Sequence, residues 1–143
     1  MDAKGRLALP ARYRERVQET CSGALVVTLN PRDLCLWIYP LPEWELIDEK
    51  LNQLPDFDRQ SRRTKQMMRG YALDCELDSQ GRILLSQELR SIAGLDRRVV
   101  LLGQGNKFEV WDEERWTRER DEWIADIEGS DGQPAAALES LSF

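Results

Sequence analysis

Asp2-Ala3-Lys4-Gly5-Arg6 and Asp78-Ser79-Gln80-Gly81-Arg82 are two copies of one short motif, D-x-x-G-R, and they determine how this chain is organised. With their flanks they read DAKGRLALP and DSQGRILLS, at an offset of 76 residues. In such a turn the Asp accepts hydrogen bonds from the backbone, the Gly supplies a positive φ and the Arg projects from the tip. A generic hairpin uses the same residue types, so the repetition is what gives the motif its meaning.

The similarity between the two halves continues beyond the motif. Each copy is followed by a short helix, two apolar strands and a helix that contains a tryptophan. In the first half these are residues 11–19, 25–29 and 35–39 and the helix of Trp44; in the second they are residues 87–93, 99–102 and 107–111 and the helix of Trp116. Each unit is too small to bury a core alone, so we expect the two units to share one.

Capping residues and apolar periods refine the helices. Ser86 is the predicted N-cap and Gly94 the stop of one short helix, and Pro10 suits the first turn of the other. The helix after Pro42 and the last long helix each have an apolar stripe, which predicts that both pack on their own β units. The stripes are Trp44, Ile47, Leu51 and Leu54, and Trp116, Trp123 and Ile127.

These boundaries predict four segments. Residues 1–55 form the first repeat, 56–68 a linker helix, 69–128 the second repeat and 129–143 a tail to which no chemistry is assigned. Asp58 lies near the start of the linker helix, whose basic face is either solvated or directed at phosphate.

One strand has no counterpart. The alternating segment Tyr71–Leu77 predicts a half-buried strand before the second motif, and the offset places Met1 opposite Leu77. We therefore expect the first unit to lack its leading strand, through either a start site assigned too late or a shortened protein. A native N-terminal peptide extending upstream of Asp2 would indicate the former.

Composition limits the classes of function. The chain has 143 residues and no histidine, so the commonest general base and the usual triad partner are absent and an enzyme is disfavoured. Three distant cysteines form no zinc pattern and are expected to be reduced and half-buried. No leader or apolar span is evident, which predicts a soluble cytoplasmic protein.

Charge is distributed unevenly along the chain. The net charge is −6, yet residues 1–20 contain five basic and three acidic groups, and residues 59–70 contain five basic groups and no acidic one. Residues 109–131 contain ten carboxylates and three arginines. No calcium-loop spacing occurs among these carboxylates, so we expect no metal; the asymmetry would orient the molecule on a polyanion.

The segments DAKGRLALPARYRE, LCLWIYPLPEW and GNKFEVWDEERW together resemble the MraZ family of the AbrB-like swapped-hairpin superfamily, over nearly the whole chain. The resemblance implies a mainly β fold with flanking helices (α+β). In it, two tandem swapped-hairpin units form a pseudo-two-fold double-split β-barrel.

The resemblance also implies a function. It indicates a sequence-specific DNA-binding regulator of the division and cell-wall gene cluster, which binds tandem promoter repeats as a homo-oligomeric ring, an octamer or dodecamer. Such a protein acts in the cytoplasm and nucleoid on double-stranded DNA, with no cofactor, membrane or small-molecule substrate.

Mapped by residue, the resemblance places Lys4, Arg6, Arg12 and Arg14 on the DNA. Arg6 suits bidentate contact with guanine and Lys4 suits phosphate or base. A second set, for DNA or subunit contacts, is Arg82, Arg62 and Arg63. The structural turn residues are Asp2, Gly5, Asp78 and Gly81. The second unit has Gln80 in place of Lys4 and Glu88 in place of Arg12, so it is expected to be structural or an oligomer contact.

Two rival interpretations remain open. One is a protein-interaction module, an antitoxin-like partner binder on the same barrel; the other is an enzyme, for which no catalytic constellation is present. The five tryptophans could stack on bases, but their amphipathic patterns favour core or subunit contacts.

Overall fold

The computed structural model describes residues 1–129, of which residues 1–112 form one compact unit. Its elements are β1 (Arg6–Ala8), α1 (Ala11–Cys21), β2 (Ala24–Leu29), β3 (Leu36–Pro40), α2 (Leu41–Asn52), α3 (Arg59–Gly70), β4 (Leu73–Glu76), β5 (Arg82–Leu84), α4 (Gln87–Ile92), β6 (Val99–Gly103) and β7 (Phe108–Asp112). A further helix, α5 (Glu113–Gly129), falls in a second compact unit. The predicted mixed α+β class is confirmed, but the expectation of a mainly β fold is wrong, because among residues 1–129 the helices contain more residues than the short strands do.

The strands form two sheets. Five strands pair in the order β4-β2-β3-β7-β6, and β1 pairs with β5 in a separate ribbon; every pairing is antiparallel. Within residues 1–129 these sheets do not close into a barrel.

Both sheets combine strands from the two repeats. At the centre of the larger sheet β3 pairs with β7, and in the ribbon Leu7 of β1 lies opposite Ile83 of β5. β4 and β5 flank the second motif but do not pair with each other; β4 pairs with β2. The second motif loop therefore connects the two sheets and is not the tip of a self-paired hairpin, because crossing over buries Leu7 and Ile83 in a shared core.

The two halves differ at the edges of the larger sheet. β2 pairs on both sides, with β3 and β4, whereas its counterpart β6 pairs only with β7 and lies at the edge. Among residues 1–129 the first repeat has no strand equivalent to β4. The Met1 amino group donates to the Arg97 carbonyl at 2.8 Å. The Leu77 amide, which lies at the matching position before the second motif, donates to the Gly23 carbonyl at 3.1 Å.

Local capping agrees with the sequence in most places. The Ser86 side chain accepts from the Leu89 amide at 3.2 Å at the start of α4, and Asp58 accepts from Ser61 at 3.2 Å at the start of α3. Pro10 occupies the N-cap, one position before the predicted first turn. α2 begins before Pro42, because proline in the first turn loses no hydrogen bond.

One core unites the repeats between the sheets and short helices. It contains buried residues from β1, β2, β3, β5, α4 and β7; among them are Leu7, Leu9, Leu25, Leu36, Ile38, Ile83, Leu85, Leu89 and Val110. A smaller cluster holds α2 and α3: Tyr39, Leu51 and Met68 are buried, and Trp44, Ile47 and Leu54 pack against them. The predicted packing of the α2 stripe is confirmed.

The corresponding prediction for the last helix stays a prediction, because α5 falls in the second compact unit. On α5, Trp123 is 63% exposed and Ile127 is 48% exposed. Their spacing gives the helix one apolar face. The predicted tail, apart from Gly129 at the end of α5, lies outside the described residues.

The cysteines are free thiols, as predicted. Cys35 is fully buried, whereas Cys21 and Cys75 are half-buried. Burial raises the pKa of Cys35 and of Cys75 to about 12, which keeps both thiols protonated and poorly nucleophilic near neutral pH.

Candidate nucleic-acid interface

The β1–β5 ribbon carries the two motif arginines on its outer face. Leu7 and Ile83 point into the core, so Arg6 and Ala8 of β1 and Arg82 and Leu84 of β5 share the opposite side. Arg6 lies opposite Leu84, and Ala8 lies opposite Arg82. We call this surface, with the two motif loops beside it, the ribbon face.

The first loop is organised by Asp2. One carboxylate oxygen accepts from the amides of Lys4 at 3.0 Å and Arg6 at 2.9 Å, and the other accepts from Arg6 Nε at 2.7 Å. Gly5 has φ +85°, which closes the turn in a region costly for other residues. The bond from the Arg6 amide, aided by its guanidinium, holds the pKa of Asp2 below 3.8.

The second loop repeats this arrangement. Asp78 accepts from the amides of Gln80 at 2.8 Å and Arg82 at 2.9 Å, and from Arg82 Nε at 3.0 Å. Gly81 has φ +73°, and the Arg82 amide holds the pKa of Asp78 below 3.8. Asp2, Gly5, Asp78 and Gly81 therefore occupy equivalent positions in the two loops.

The two motif arginines converge on one carboxylate. Asp2 Oδ2 lies 2.7 Å from Arg6 Nε and 3.9 Å from Arg82 Nη1, although the arginines belong to different repeats. The Arg6 and Arg82 side chains remain 34% and 26% exposed. Because Nε fixes the plane of Arg6, the terminal amino groups supply the two donors that bidentate guanine contact requires.

The remaining predicted DNA contacts differ in their surroundings. Lys4 is exposed at the tip of its loop, as is Gln80 in the other loop. Arg12, in the first turn of α1, lies over the Tyr13 ring at 4.6 Å and donates to the Tyr13 hydroxyl at 2.9 Å. Arg12 is thus exposed but oriented by a neighbour.

Arg14 is engaged with the protein backbone. Its Nε donates to the Leu9 carbonyl at 2.9 Å and its Nη1 donates to the Gln80 carbonyl at 3.3 Å. Arg90 makes the equivalent bond to the Leu85 carbonyl at 3.1 Å. Arg90 is not among the residues predicted from the sequence, although it follows Arg14 at the motif's own offset of 76 residues.

The basic helix α3 is not part of the ribbon face. It packs on β2, where the buried Thr28 hydroxyl donates to the Met68 carbonyl at 2.5 Å. Lys65 pairs with Asp56 at 2.9 Å and Arg69 with Asp48 at 2.6 Å. Arg62 and Arg63 are exposed on the same helix.

The described part of the chain contains neither a metal-binding cluster nor a membrane-spanning helix. No group of three or more acidic or cysteine side chains is placed to hold a metal ion among residues 1–129. None of the helices in that range is long and apolar enough to cross a membrane.

Comparison with known proteins adds to this geometry. The family model described as "MraZ protein, putative antitoxin-like" matches the chain twice, over residues 1–67 and 68–130. Both motif loops therefore lie inside matched regions, one in each.

Individual relatives match all or nearly all of the chain. A transcriptional regulator MraZ of Thioalkalivibrio sulfidiphilus is 56% identical over 143 residues, covering 100% of this chain and 94% of the relative. Its namesake from Halorhodospira halophila is 48% identical with the same coverage. The Pseudomonas aeruginosa protein of that name is 47% identical over 134 residues, covering 94% and 89%.

Proposed function

This chain belongs to the MraZ family of transcriptional regulators, and we propose that it acts by binding DNA in a sequence-specific manner through its ribbon face. The DNA is the promoter of the division and cell-wall gene cluster, which the chain binds at tandem repeats. Relatives are named as regulators and not as enzymes, which fits a role without catalysis.

One observation carries the proposal: two loops with the same carboxylate-ordered arginine lie beside one two-stranded ribbon. A two-stranded ribbon fits the width of the major groove, and an ordered guanidinium is pre-aligned for guanine. Less side-chain entropy is then lost on binding. Arg6 and Arg82 approach each other, so they would read neighbouring positions of one site.

The role proposed for each basic residue in DNA binding follows from the exposure and the contacts of its side chain. Arg6 reads bases, and Lys4, exposed at the loop tip, binds phosphate or base. Arg12 and Arg14 complete the primary set, Arg12 through contact with phosphate and Arg14 through its place beside the second motif loop. Arg82, Arg62 and Arg63 are a secondary set for DNA or subunit contacts.

The finer architecture is part of the same proposal. The ribbon and larger sheet correspond to the double-split barrel of swapped-hairpin proteins, with repeats over 1–55 and 69–128 and a linker at 56–68. Several chains assemble into a ring, an octamer or dodecamer, in the cytoplasm and nucleoid. Repeated weak contacts raise avidity by roughly 10²- to 10⁴-fold, which offsets the unfavourable net charge of −6.

A salt titration tests the function. We expect the chain to shift a duplex of its promoter repeats more strongly than a scrambled duplex. Affinity should fall by on the order of 10³-fold between about 50 and 200 mM salt if about six phosphates are contacted. The same affinity for both duplexes would contradict sequence-specific binding.

The matched family model itself favours a second candidate, since its description includes the term antitoxin-like. On this alternative the barrel binds a protein partner and not DNA. The titration separates the two: no shift of either duplex, with a stoichiometric partner in pull-downs, would support the alternative.

A further inference from the structure

We propose that Arg14 and Arg90 are positioning residues, each of which holds the DNA-binding loop of the opposite repeat. This inference rests on the proposed function and reassigns Arg14, which the sequence placed on DNA. The two arginines would make loop order in one repeat depend on a helix of the other.

Arg14 reaches from α1 of the first repeat to the second motif loop. Besides its bond to Leu9 O, it donates to Gln80 O at 3.3 Å. Its side chain lies against Gly81 so closely that a β-carbon at Gly81 would overlap it. Glycine at this position therefore serves two needs, the positive φ and the space for Arg14.

Arg90 reaches from α4 of the second repeat to the first motif loop. It donates to Leu85 O at 3.1 Å, and a β-carbon at Gly5 would lie 2.6 Å from its Cζ and Nε. Backbone hydrogen bonds also link each repeat to the motif loop of the other. The Leu9 amide donates to Gly81 O at 3.0 Å, and the Leu85 amide donates to Gly5 O at 2.9 Å.

These contacts explain why Arg14 is unsuited to a phosphate contact of its own. Two of its donor atoms already bond backbone carbonyls, and the side chain is only partly exposed. Lys4 and Arg12, in contrast, are exposed. Loss of Arg14 should therefore disorder the loop of Gln80 and Arg82, leaving the number of phosphate contacts unchanged.

Hydrogen exchange of the full-length chain without DNA tests the positioning directly. In Arg14→Ala we expect faster amide exchange at residues 80–82 and unchanged exchange at residues 4–6. In Arg90→Ala we expect the reverse pattern. Arg16→Ala, an exposed arginine on α1, is the matched control and should change neither loop. Should Arg14→Ala unfold, Arg14→Gln replaces it.

DNA binding supplies the second readout. Arg14→Ala should weaken binding to the promoter duplex by about tenfold, the scale of one displaced base contact. The slope of log affinity against log salt should stay as in the wild type, whereas Lys4→Ala should reduce it by about one.

Two outcomes would overturn the inference. One is exchange that rises in neither loop or only in the arginine's own repeat; the other is a salt slope that falls in Arg14→Ala as it does in Lys4→Ala. If the wild-type chain binds no DNA but the crossed exchange pattern appears, the proposed function fails and the crossed positioning of the loops stands.

Discussion

At the scale of single residues, the motif is a device for ordering an arginine. Asp2 and Asp78 each bind the backbone of their own turn and the guanidinium of the arginine four residues later. The exposed ion pairs by themselves contribute little to stability and mainly orient the guanidinium groups, whereas the backbone hydrogen bonds to the carboxylates stabilise the turns. The carboxylate must be ionised to act in this way.

The acid dependence of the loops follows from this requirement. Both carboxyls have a lowered pKa in the fold, so the stability they contribute is present above pH 3.8 and is lost as pH falls through the folded-state values. Asp78→Asn should therefore unfold at lower denaturant than the wild type at neutral pH, and this difference should shrink below pH 3.8. The difference between variant and wild type is measured from denaturant midpoints at a series of pH values between about 7 and about 2.5.

Asp2→Asn is the matched variant for the first loop and should behave in the same way. A midpoint difference that stays constant through the acid range would show that ionisation of these carboxyls does not support the loops.

At the scale of elements, the sequence predicted what local patterns determine. Ser86 and Asp58 cap the helices that follow them, because an N-cap depends only on residues of its own turn. Period-two and period-3.6 patterns located β2, β3, α1 and α2 to within a few residues. The internal repeat even contained the signal for Arg90, at the same offset as the motif.

Long-range pairing was beyond these patterns. Nothing near Ser79 or Gln80 in the sequence indicates that β5 leaves β4 and pairs with β1, or that Arg14 would pack on Gly81. The hydrogen bonds that already occupy Nε and Nη1 of Arg14 likewise depend on tertiary packing, which a local sequence pattern does not show. The period of Trp123 also indicates an apolar face on α5 but not what that face packs against.

The docking of α3 depends on one buried hydrogen bond. Thr28 is fully buried and its hydroxyl donates to Met68 O, a carbonyl near the C-terminal end of the helix. Thr28→Val keeps the shape but leaves that carbonyl unsatisfied, which should cost about 1–3 kcal/mol. Chemical denaturation at matched protein concentration measures the loss.

Thr20→Val is the control, because its hydroxyl bonds Arg16 O on an exposed turn of α1. It should change stability by less than about 0.5 kcal/mol. Equal effects of the two substitutions would show that the buried bond does not hold α3.

At the scale of the whole molecule, the net charge of the chain is opposite in sign to the basic side chains of the ribbon face. The net charge of −6 repels a polyanion, whereas the ribbon face presents Lys4, Arg6 and Arg82. In the proposed complex with DNA, local positive potential and repetition in a ring offset that repulsion. The two repeats are similar in fold but unequal in charge, since Gln80 and Glu88 replace Lys4 and Arg12.

Binding of the promoter duplex and a scrambled duplex to matched arginine variants, followed by fluorescence anisotropy, tests the central claim most directly. Arg6→Ala should abolish the preference for the promoter duplex, and Arg82→Ala should reduce that preference by less. Arg98 is an exposed arginine outside the ribbon face, so Arg98→Ala should bind both duplexes as the wild type does. Native mass spectrometry should show the same oligomer in all of them. Equal losses for Arg6 and Arg82 would contradict the asymmetry between the repeats. An Arg6→Ala oligomer that still prefers the promoter duplex would contradict the ribbon face as the site of recognition.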